Sequence, residues 1–221
     1  MHVFPSFALA GQQVRFCDIV NSQVENNINH LVVALDNNYD AFCRVNNVDF
    51  VGQIDFLFRD KKFIKRISDY LRILKVQKPD LLVTYNWGAT EFIIANFIFR
   101  HCPMVHIEDG FNDDERDKQK LRRVLARRIL FTRINKLMVP SKTLEHIAIN
   151  SWRQPSEKIQ YIPNGIDLSY YHKTNHPKPP DAPVTIGTVA SVRSIKRIDR
   201  LINRFKQLNC DQPIRLSIVG D

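Results

Sequence analysis

Short apolar runs recur along the chain, and longer amphipathic stretches separate them. Examples are HLVVALD (30–36), LLVTY (81–85), PMVHIE (103–108) and NKLMVP (135–140). Near-continuous apolar strands are typical of a parallel sheet covered by helices on both faces, because neither face of such a strand meets water. The alternation of strand and helix therefore predicts a doubly wound, Rossmann-like α/β domain with a parallel sheet.

The stretches between these runs have the period of amphipathic helices. In residues 56–77 the apolar side chains recur at the spacing of one helix face, and Lys78-Pro79 stops the pattern. Further helices are expected at 12–23, 89–100, 114–131 and 141–150. Ser141 is the expected N-cap of the last one, because its hydroxyl can accept from a first-turn N–H. Strands are expected at 1–5 and 158–163 as well.

The composition changes at residues 172–183, which read HKTNHPKPPDAP and contain four prolines. Such a stretch is typical of a linker. We therefore expect a first domain over 1–171, a linker at 172–183 and, at 184–221, the incomplete β-α-β start of a second Rossmann-like domain. Two strands and one helix bury little apolar area. Ile214, Leu216 and Ile218 should then be less buried than residues of a true core strand.

The formal net charge is +9 and the sequence pI is about 9.5. This balance favours an anionic partner but does not choose among nucleic acid, an acidic membrane and phosphorylated ligands. The four cysteines are far apart in the sequence, so they form no C-x-x-C motif and are expected to be reduced. The N-terminus has no signal-peptide pattern, and no apolar run reaches the roughly 18 residues of a membrane span. These features predict a cytoplasmic protein.

Several segments, in their order along the chain, resemble a known family. YIPNGID (161–167), IGTVASVRSIKRIDRLI (186–202) and LSIVGD (216–221) together resemble the family 4 glycosyltransferases, which have the two-domain GT-B fold. PSFALAGQQVR (5–15), TYNWGATEF (84–92) and HIEDGFNDDE (106–115) are similar to the N-terminal, acceptor-side domain of a bacterial branch. The resemblance covers nearly the whole chain.

The resemblance implies an activity. Members move a sugar, here a hexose, from a nucleotide-sugar to a hydroxyl acceptor with retention of anomeric configuration, without a metal or another cofactor. Envelope polysaccharide or glycolipid synthesis is the expected setting. In the family, most of the donor site belongs to the second domain, including a glutamate pair for which this chain has no counterpart. The chain is therefore expected to be truncated and inactive by itself, and a non-catalytic acceptor-domain remnant is the alternative.

Gly11 and Gln12 open a helix after the first strand and are candidate donor-binding residues. Free N–H groups and partial positive charge make a helix N-terminus suited to phosphate, and glycine permits close approach. The family usually has two glycines at this turn, whereas the first position here is Ala10. A simple turn glycine is the alternative.

Arg193 and Lys196 follow the first strand after the linker. The resemblance matches Lys196 to a lysine that binds the donor diphosphate, but the family's arginine position is occupied by Ser191. Arg193 lies on the same loop and can supply the second cation. Two cations there would offset charge developing on the leaving group. The alternative is an exposed basic loop.

Glu108 and Asp109 follow a strand, where ligands bind in open α/β sheets, and are the candidate catalytic residues. A carboxylate can orient an acceptor hydroxyl or take its proton. The resemblance places a sugar-contacting histidine of many relatives at about Asp109, whereas His106 lies within the strand. The alternatives are a helix cap or an acid paired with the basic helix that follows.

Asn86 and Trp87 also follow a strand, so they are candidates for lining an acceptor pocket, in which Trp87 would stack on a sugar face. A packed helix-start loop is the alternative. Asn164 and Gly165 form a turn dipeptide. The resemblance puts this turn beside the cleft between the domains, with a geometric role.

The sequence between Arg116 and Lys136 contains nine basic residues and one acid, Asp117. Helical spacing places four of the cations on one face: Arg116, Lys120, Arg123 and Arg127. Three apolar residues lie on another face: Leu121, Val124 and Leu125. A basic face of this kind attracts anionic lipid headgroups, which predicts a possible peripheral membrane contact. A solvated face is the alternative, and no known module supports nucleic-acid binding. A basic lipid-binding module remains a rival function.

Overall fold

The computed structural model describes residues 1–23, 28–46, 51–54, 62–99, 102–111, 113–115, 118–166, 168, 179, 182–192 and 194–220. The chain divides into two compact units, Met1–Ile166 and Asp167–Asp221. The first unit contains the sheet that most of the apolar runs predict. The second unit contains a separate pair of strands.

The first unit is built on a seven-stranded sheet, counted over the described residues. Its strands are β1 (His2–Phe4), β2 (His30–Ala34), β3 (Val51–Ile54), β4 (Leu82–Tyr85), β5 (Met104–Ile107), β6 (Lys136–Val139) and β7 (Ile159–Tyr161). The strand order is β3-β2-β1-β4-β5-β6-β7, and all neighbours are parallel. The order reverses between β1 and β4, which is the doubly wound arrangement. The predicted fold class is confirmed.

Five helices connect these strands in the described part of the first unit. They are α1 (Gly11–Ser22), α2 (Phe63–Gln77), α3 (Thr90–Phe99), α4 (Leu121–Leu130) and α5 (Lys142–Asn150). The predicted cap of α5 is confirmed, because Ser141 Oγ accepts from the Leu144 N–H at 3.2 Å. The predicted start of α4 at residue 114 is wrong, since a short 3₁₀ turn at Asp113–Glu115 precedes it. Within the described ranges, no helix has both the length and the apolar character that a membrane span requires.

Side chains of the sheet alternate between two hydrophobic cores, one on each face. Leu82 belongs to the core with α2, α3 and α5, whereas its neighbour Val83 belongs to the core with α1. In the second core the rings of Phe4 and Tyr85 stack at a centroid distance of 3.8 Å. Successive strand residues point to opposite faces, so one apolar run serves both cores. This explains why apolar residues are continuous along the strand sequences rather than alternating with polar ones.

The second unit contains β8 (Val184–Val189), α6 (Ile198–Phe205) and β9 (Ile214–Val219), with a 3₁₀ turn at Ser194–Lys196. The two strands are parallel. None of the described residues of this unit is fully buried. Ile214 and Leu216 are half-buried and Ile218 is 37% exposed, so the predicted weak burial of this strand is confirmed.

Candidate active site

The site lies where the strand order reverses, at the carboxyl ends of β1 and β4. Open α/β sheets bind ligands at this point because the loops on the two sides diverge and leave a crevice. Gly88, in the loop after β4, packs on Pro5, in the loop after β1. A Cβ at position 88 would lie 2.7 Å from Cβ and Cγ of Pro5, so only glycine permits this approach. Gly88 was not predicted, although a glycine three residues after a strand end is a signal for such a close approach.

Asn86 connects three loops at this end of the sheet. Its backbone N–H donates to the Ile107 carbonyl at 2.8 Å, and its Nδ2 donates to Gln12 Oε1 at 3.2 Å. Its Oδ1 accepts from the Asp109 N–H at 2.9 Å. The backbone has φ 55° and ψ 175°, a conformation that costs about 1–3 kcal/mol in a residue other than glycine. These hydrogen bonds hold Asn86 in that conformation.

Asp109 is the carboxylate of the site, at the end of β5. Arg15 Nη2 donates to both of its oxygens at 3.0 Å, and Gln12 Nε2 donates to Oδ2 at 2.7 Å. Both side chains of the Arg15–Asp109 ion pair remain partly exposed. A carboxylate offers about four acceptor positions, so Oδ1 keeps one for a further donor. The arrangement fixes the carboxylate while leaving it able to accept a hydrogen bond.

Arg15 was not among the predicted site residues. It lies three residues after Gln12, so both side chains share one face of α1, which is the signal that was available. Arg15 also donates to Asn164 Oδ1, which draws the segment after β7 into the same network. The structure thus brings together four of the predicted site residues: Gln12, Asn86, Asp109 and Asn164. Gly165, beside Asn164, is exposed.

Glu108 points to the opposite face from Asp109, into the interior. Its side chain is completely buried, with Oε2 3.5 Å from His106 Nε2 and 3.5 Å from Arg127 Nε. His106 in turn lies 2.8 Å from the Thr84 hydroxyl. A fully buried carboxylate has no open side toward a substrate. We therefore assign Glu108 a structural role rather than the predicted catalytic one.

Arg127 lies at the centre of this interior cluster. Its guanidinium is fully buried and is 4.9 Å from the ring of Trp87, 5.0 Å from that of Trp152 and 5.4 Å from that of Phe111. It also pairs with Glu115 at 3.3 Å. Aromatic faces attract a desolvated cation, which offsets part of the cost of burying it. Trp87, predicted to line an acceptor pocket, therefore packs on this arginine.

The described cations of the basic helix face expected for membrane contact are paired with acids of the protein. Lys120 pairs with Asp114 at 2.7 Å, and Arg123 pairs with Asp114 at 2.8 Å and Glu115 at 2.9 Å. Hydrogen bonds from Lys120 and Arg123 lower the pKa of Asp114. Arg116 lies outside the described residues. These acids, which precede α4, fold back onto its cations, so membrane contact by this face stays a prediction.

The predicted donor-binding residues lie in both units. Gly11 is the exposed first residue of α1, and a Cβ there would meet nothing within 4 Å. The N-cap is Ala10, which has no side-chain acceptor for the first-turn N–H groups. The side chain of Gln12 is engaged with Asn86 and Asp109. Lys196 is exposed in the 3₁₀ turn of the second unit, and Arg193 lies outside the described residues.

The fold is shared with solved structures, among them the following three. The structure of HepE from Anabaena in complex with UDP and glucose has a TM-score of 0.74 at 17% identity. A glycosyltransferase from Rickettsia africae has a TM-score of 0.64 at 11% identity, and MurG from Acinetobacter baumannii has 0.57 at 12%. The alignments cover 100%, 100% and 98% of this chain but 60%, 68% and 57% of those chains, respectively. The chain thus spans 60% of the length of HepE.

The family model described as Glycosyltransferase Family 4 matches residues 9–170, whereas a search of curated proteins found no match. The family match includes the whole Asp109 network and most of the first unit. The doubly wound sheet and the GT-B neighbours agree with the same assignment. The chain therefore belongs to glycosyltransferase family 4.

Proposed function

We propose that the protein acts in the transfer of a hexosyl group from a nucleotide-sugar to a hydroxyl acceptor, with retention of configuration. The observation that carries this proposal is the fixed Asp109 carboxylate at the reversal of strand order. Three hydrogen-bond contacts from Arg15 and Gln12 orient it, and one acceptor position remains. An acceptor hydroxyl is a donor that fits this position.

In the proposed reaction, the acceptor oxygen forms a bond to the anomeric carbon while the bond from that carbon to the donor phosphate breaks, and both events occur on the same face of the sugar, so that the configuration is retained. The acceptor O–H donates to Asp109, which accepts its proton as the new bond forms, and the nucleoside diphosphate leaves. We place Asn86 and Trp87 on the side of the site that binds the acceptor. Asn86 holds the Asp109 backbone through a 2.9 Å hydrogen bond, so its contribution is to position the carboxylate.

We assign a donor phosphate to the N-terminus of α1. The uncapped first turn at Gly11 supports this assignment, because its N–H groups and the helix dipole favour an anion. Lys196 and Arg193 are proposed for the diphosphate by their resemblance to the family pattern. HepE has been crystallised with UDP-glucose, which supports a uridine nucleotide as the first donor to test.

The setting that we propose is cytoplasmic synthesis of an envelope polysaccharide or glycolipid, with no metal ion and no organic cofactor, as the resemblance implies. The second candidate is a catalytically inactive acceptor domain. The observation that favours it for these 221 residues is the second unit, whose described part contains two paired strands and one helix. The two candidates differ in turnover, not in fold.

A transfer assay separates these candidates. The purified 221-residue chain is incubated with a panel of UDP-sugars and sugar or lipid-linked acceptors, and product is measured by mass spectrometry. Product formation that falls about 10²–10⁴-fold in Asp109→Asn supports the proposed reaction. Asp18→Asn is the matched control, since Asp18 is exposed on α1.

Absence of product with every donor, together with UDP binding measured by calorimetry, would favour the inactive domain. Equal turnover by Asp109→Asn and the wild type would remove Asp109 from the mechanism. Gly11→Val tests the donor site separately, because its side chain would obstruct the uncapped helix end and weaken UDP binding. Unchanged UDP affinity in Gly11→Val would contradict the assignment of phosphate to this turn.

A further inference from the structure

Helix α4 has its faces reversed relative to an ordinary surface helix. Its interior side carries arginines, with Arg127 fully buried and Arg123 mostly buried. Its outer side carries large apolar residues: Leu121 is 73% exposed, Leu125 46% and Ile129 61%. A surface helix normally buries its apolar stripe and exposes its charges. The reversal indicates that the outer side of α4 has a use other than solvation.

The three exposed residues form one stripe, because they are spaced four apart along the helix. We call Leu121, Leu125 and Ile129 the apolar stripe. Arg122 lies next to this stripe on the helix surface and is exposed. Arg133, just after the helix, is also exposed, and its guanidinium is 5.0 Å from the ring of Phe97 on α3. Two exposed cations thus accompany the stripe.

The surroundings of the stripe are one-sided in charge. The sequence contains no acidic residue from 118 to 144. Of the acids just before this stretch, Asp117 lies outside the described residues, and Asp114 and Glu115 are already paired with Lys120, Arg123 and Arg127. Among the described residues no acid pairs with Arg122 or Arg133, so these cations can gain an anionic partner from outside the chain. An apolar stripe beside unpaired cations is complementary to a partner that has an apolar interior for the leucines and isoleucine and anionic groups at its surface for the arginines.

We propose that the apolar stripe of α4 docks on an anionic lipid bilayer, with Arg122 and Arg133 at the headgroups. A helix in this orientation lies in the plane of the interface, with its apolar side chains inserted and its cations level with the phosphates. A second copy of the chain is a poorer occupant. Symmetric pairing of two stripes brings like-charged arginines together with no acid to offset them.

This docking differs from the one expected from the sequence, which assigned lipid contact to the basic face of Arg116, Lys120, Arg123 and Arg127. The last three side chains are paired with acids within the protein. The stripe is also distinct from the Asp109 network, so docking can be measured without sugar transfer. A failure of docking would leave the proposed reaction untouched, and a failure of transfer would leave docking untouched.

The experiment is vesicle flotation with the full chain. Vesicles of phosphatidylglycerol and phosphatidylcholine are compared with vesicles of phosphatidylcholine alone, at low and high salt. We expect binding to the anionic vesicles that weakens as salt screens the arginines. The variant Leu125→Glu/Ile129→Glu should bind at least about tenfold more weakly, since it replaces inserted side chains with anions. Arg122→Gln should lose about fivefold.

Ile64→Glu is the matched control, because Ile64 is 82% exposed on another helix, α2. It should bind like the wild type. Thermal denaturation checks that each variant folds, and the milder Leu125→Gln replaces any variant that does not. Binding by the double Glu variant equal to that of wild type would overturn the proposal. So would a wild-type chain that ignores anionic vesicles but forms a dimer, by light scattering, that the Glu variants dissociate.

Discussion

Strands β4 (LVTY) and β9 (IRLSIV) are both rich in apolar residues, although β9 also contains Arg215 and Ser217, and their surroundings are very different. All four residues of β4 are buried, whereas β9 has no fully buried residue. The difference is not in strand pairing, because β8 and β9 pair over six residues each and their register is continuous. It lies in cover. The sheet containing β4 has helices and two cores around it, and the described residues of the second unit supply one helix.

The comparison shows that pairing and burial are separate contributions to a parallel sheet. A ladder of hydrogen bonds exchanges bonds to water for bonds to protein and stabilises by a modest net amount. The removal of apolar area from water supplies most of the driving force. A paired strand rich in apolar residues is therefore buried in the core in Met1–Ile166 but only partly buried in the second unit.

The largest expected effect comes from the interior cluster of the first unit. Arg127→Ala leaves Glu108 buried without its arginine and leaves Glu115 with Arg123 alone, which should lower the free energy of unfolding by about 3–5 kcal/mol. Urea denaturation followed by circular dichroism measures this change. Arg204→Ala is the control in the second unit, where the arginine is exposed, and it should change stability little. Equal effects of the two substitutions would contradict the contrast between the units.

A matched pair of leucines tests burial directly. Leu82→Ala, in β4, should cost about 2–5 kcal/mol of unfolding free energy, because Leu82 is completely buried. Leu216→Ala, in β9, should cost less than about 1 kcal/mol, since the side chain is half-exposed and leaves no closed cavity. Chemical denaturation of both variants provides the comparison. A Leu216→Ala cost as large as that of Leu82→Ala would show that β9 belongs to a real core.

Substitution of one glycine in each unit tests the same difference in packing close to the backbone. In Gly88→Ala, the new methyl would overlap the Pro5 ring, so the loops after β1 and β4 must separate. We expect a loss of about 1–3 kcal/mol, together with weaker UDP binding if the loop after β1 moves. Gly187→Ala, in β8, has no atom within 4 Å of the new Cβ and should be close to neutral. Thermal denaturation distinguishes the two, and an unstable Gly187→Ala would contradict the open surroundings of β8.

The smallest effect expected is a pH dependence of the first unit. His2 is hydrogen-bonded to Tyr85 at 3.1 Å and to His30 at 3.0 Å. Burial lowers the pKa of His2 well below its usual value, and the terminal ammonium and His30 add to this. The pKa of His30 is lowered as well, mainly by burial.

Because these pKa values are lower in the folded state, the unfolded chain binds protons first as pH falls below about 6.5. Stability should therefore decline between about pH 6.5 and 5, by at most about 1.4 kcal/mol per pH unit for each histidine. Urea midpoints across this range measure the slope. The slope should be shallower in His2→Gln, and an unchanged slope in that variant would remove His2 as its source.

Much of the fold could be predicted from the sequence because continuous apolar runs have few alternatives in a chain of this length. β3 was missed, since its sequence VGQI contains a glycine and a glutamine and gives no apolar run. The start of α4 was placed too early because Asp114 and Glu115 also suit a helix start. Their actual partners are arginines later in the sequence, and local propensity carries no information about that pairing.

The site was predictable in part for a related reason. The carboxyl end of a strand marks Asp109 as a candidate, but its neighbour Glu108 was grouped with it. Strand alternation distinguishes the two: Glu108 continues the buried series of Met104 and His106, so it points inward. Arg15 was missed because its contact with Asp109 joins residues 94 positions apart. Such a contact follows from the strand order, which the sequence alone does not specify.

The position of β1 has a consequence for synthesis on the ribosome. This first strand lies between β2 and β4, and the Met1 amine bonds the Leu81 carbonyl, 80 residues later. At about 5–20 residues per second, one edge of β1 waits roughly 4–16 s for its partner to be translated. An unpaired strand edge in that interval can pair wrongly or recruit a chaperone. The β8–β9 pair closes across a much shorter loop, so its assembly depends far less on the rate of translation.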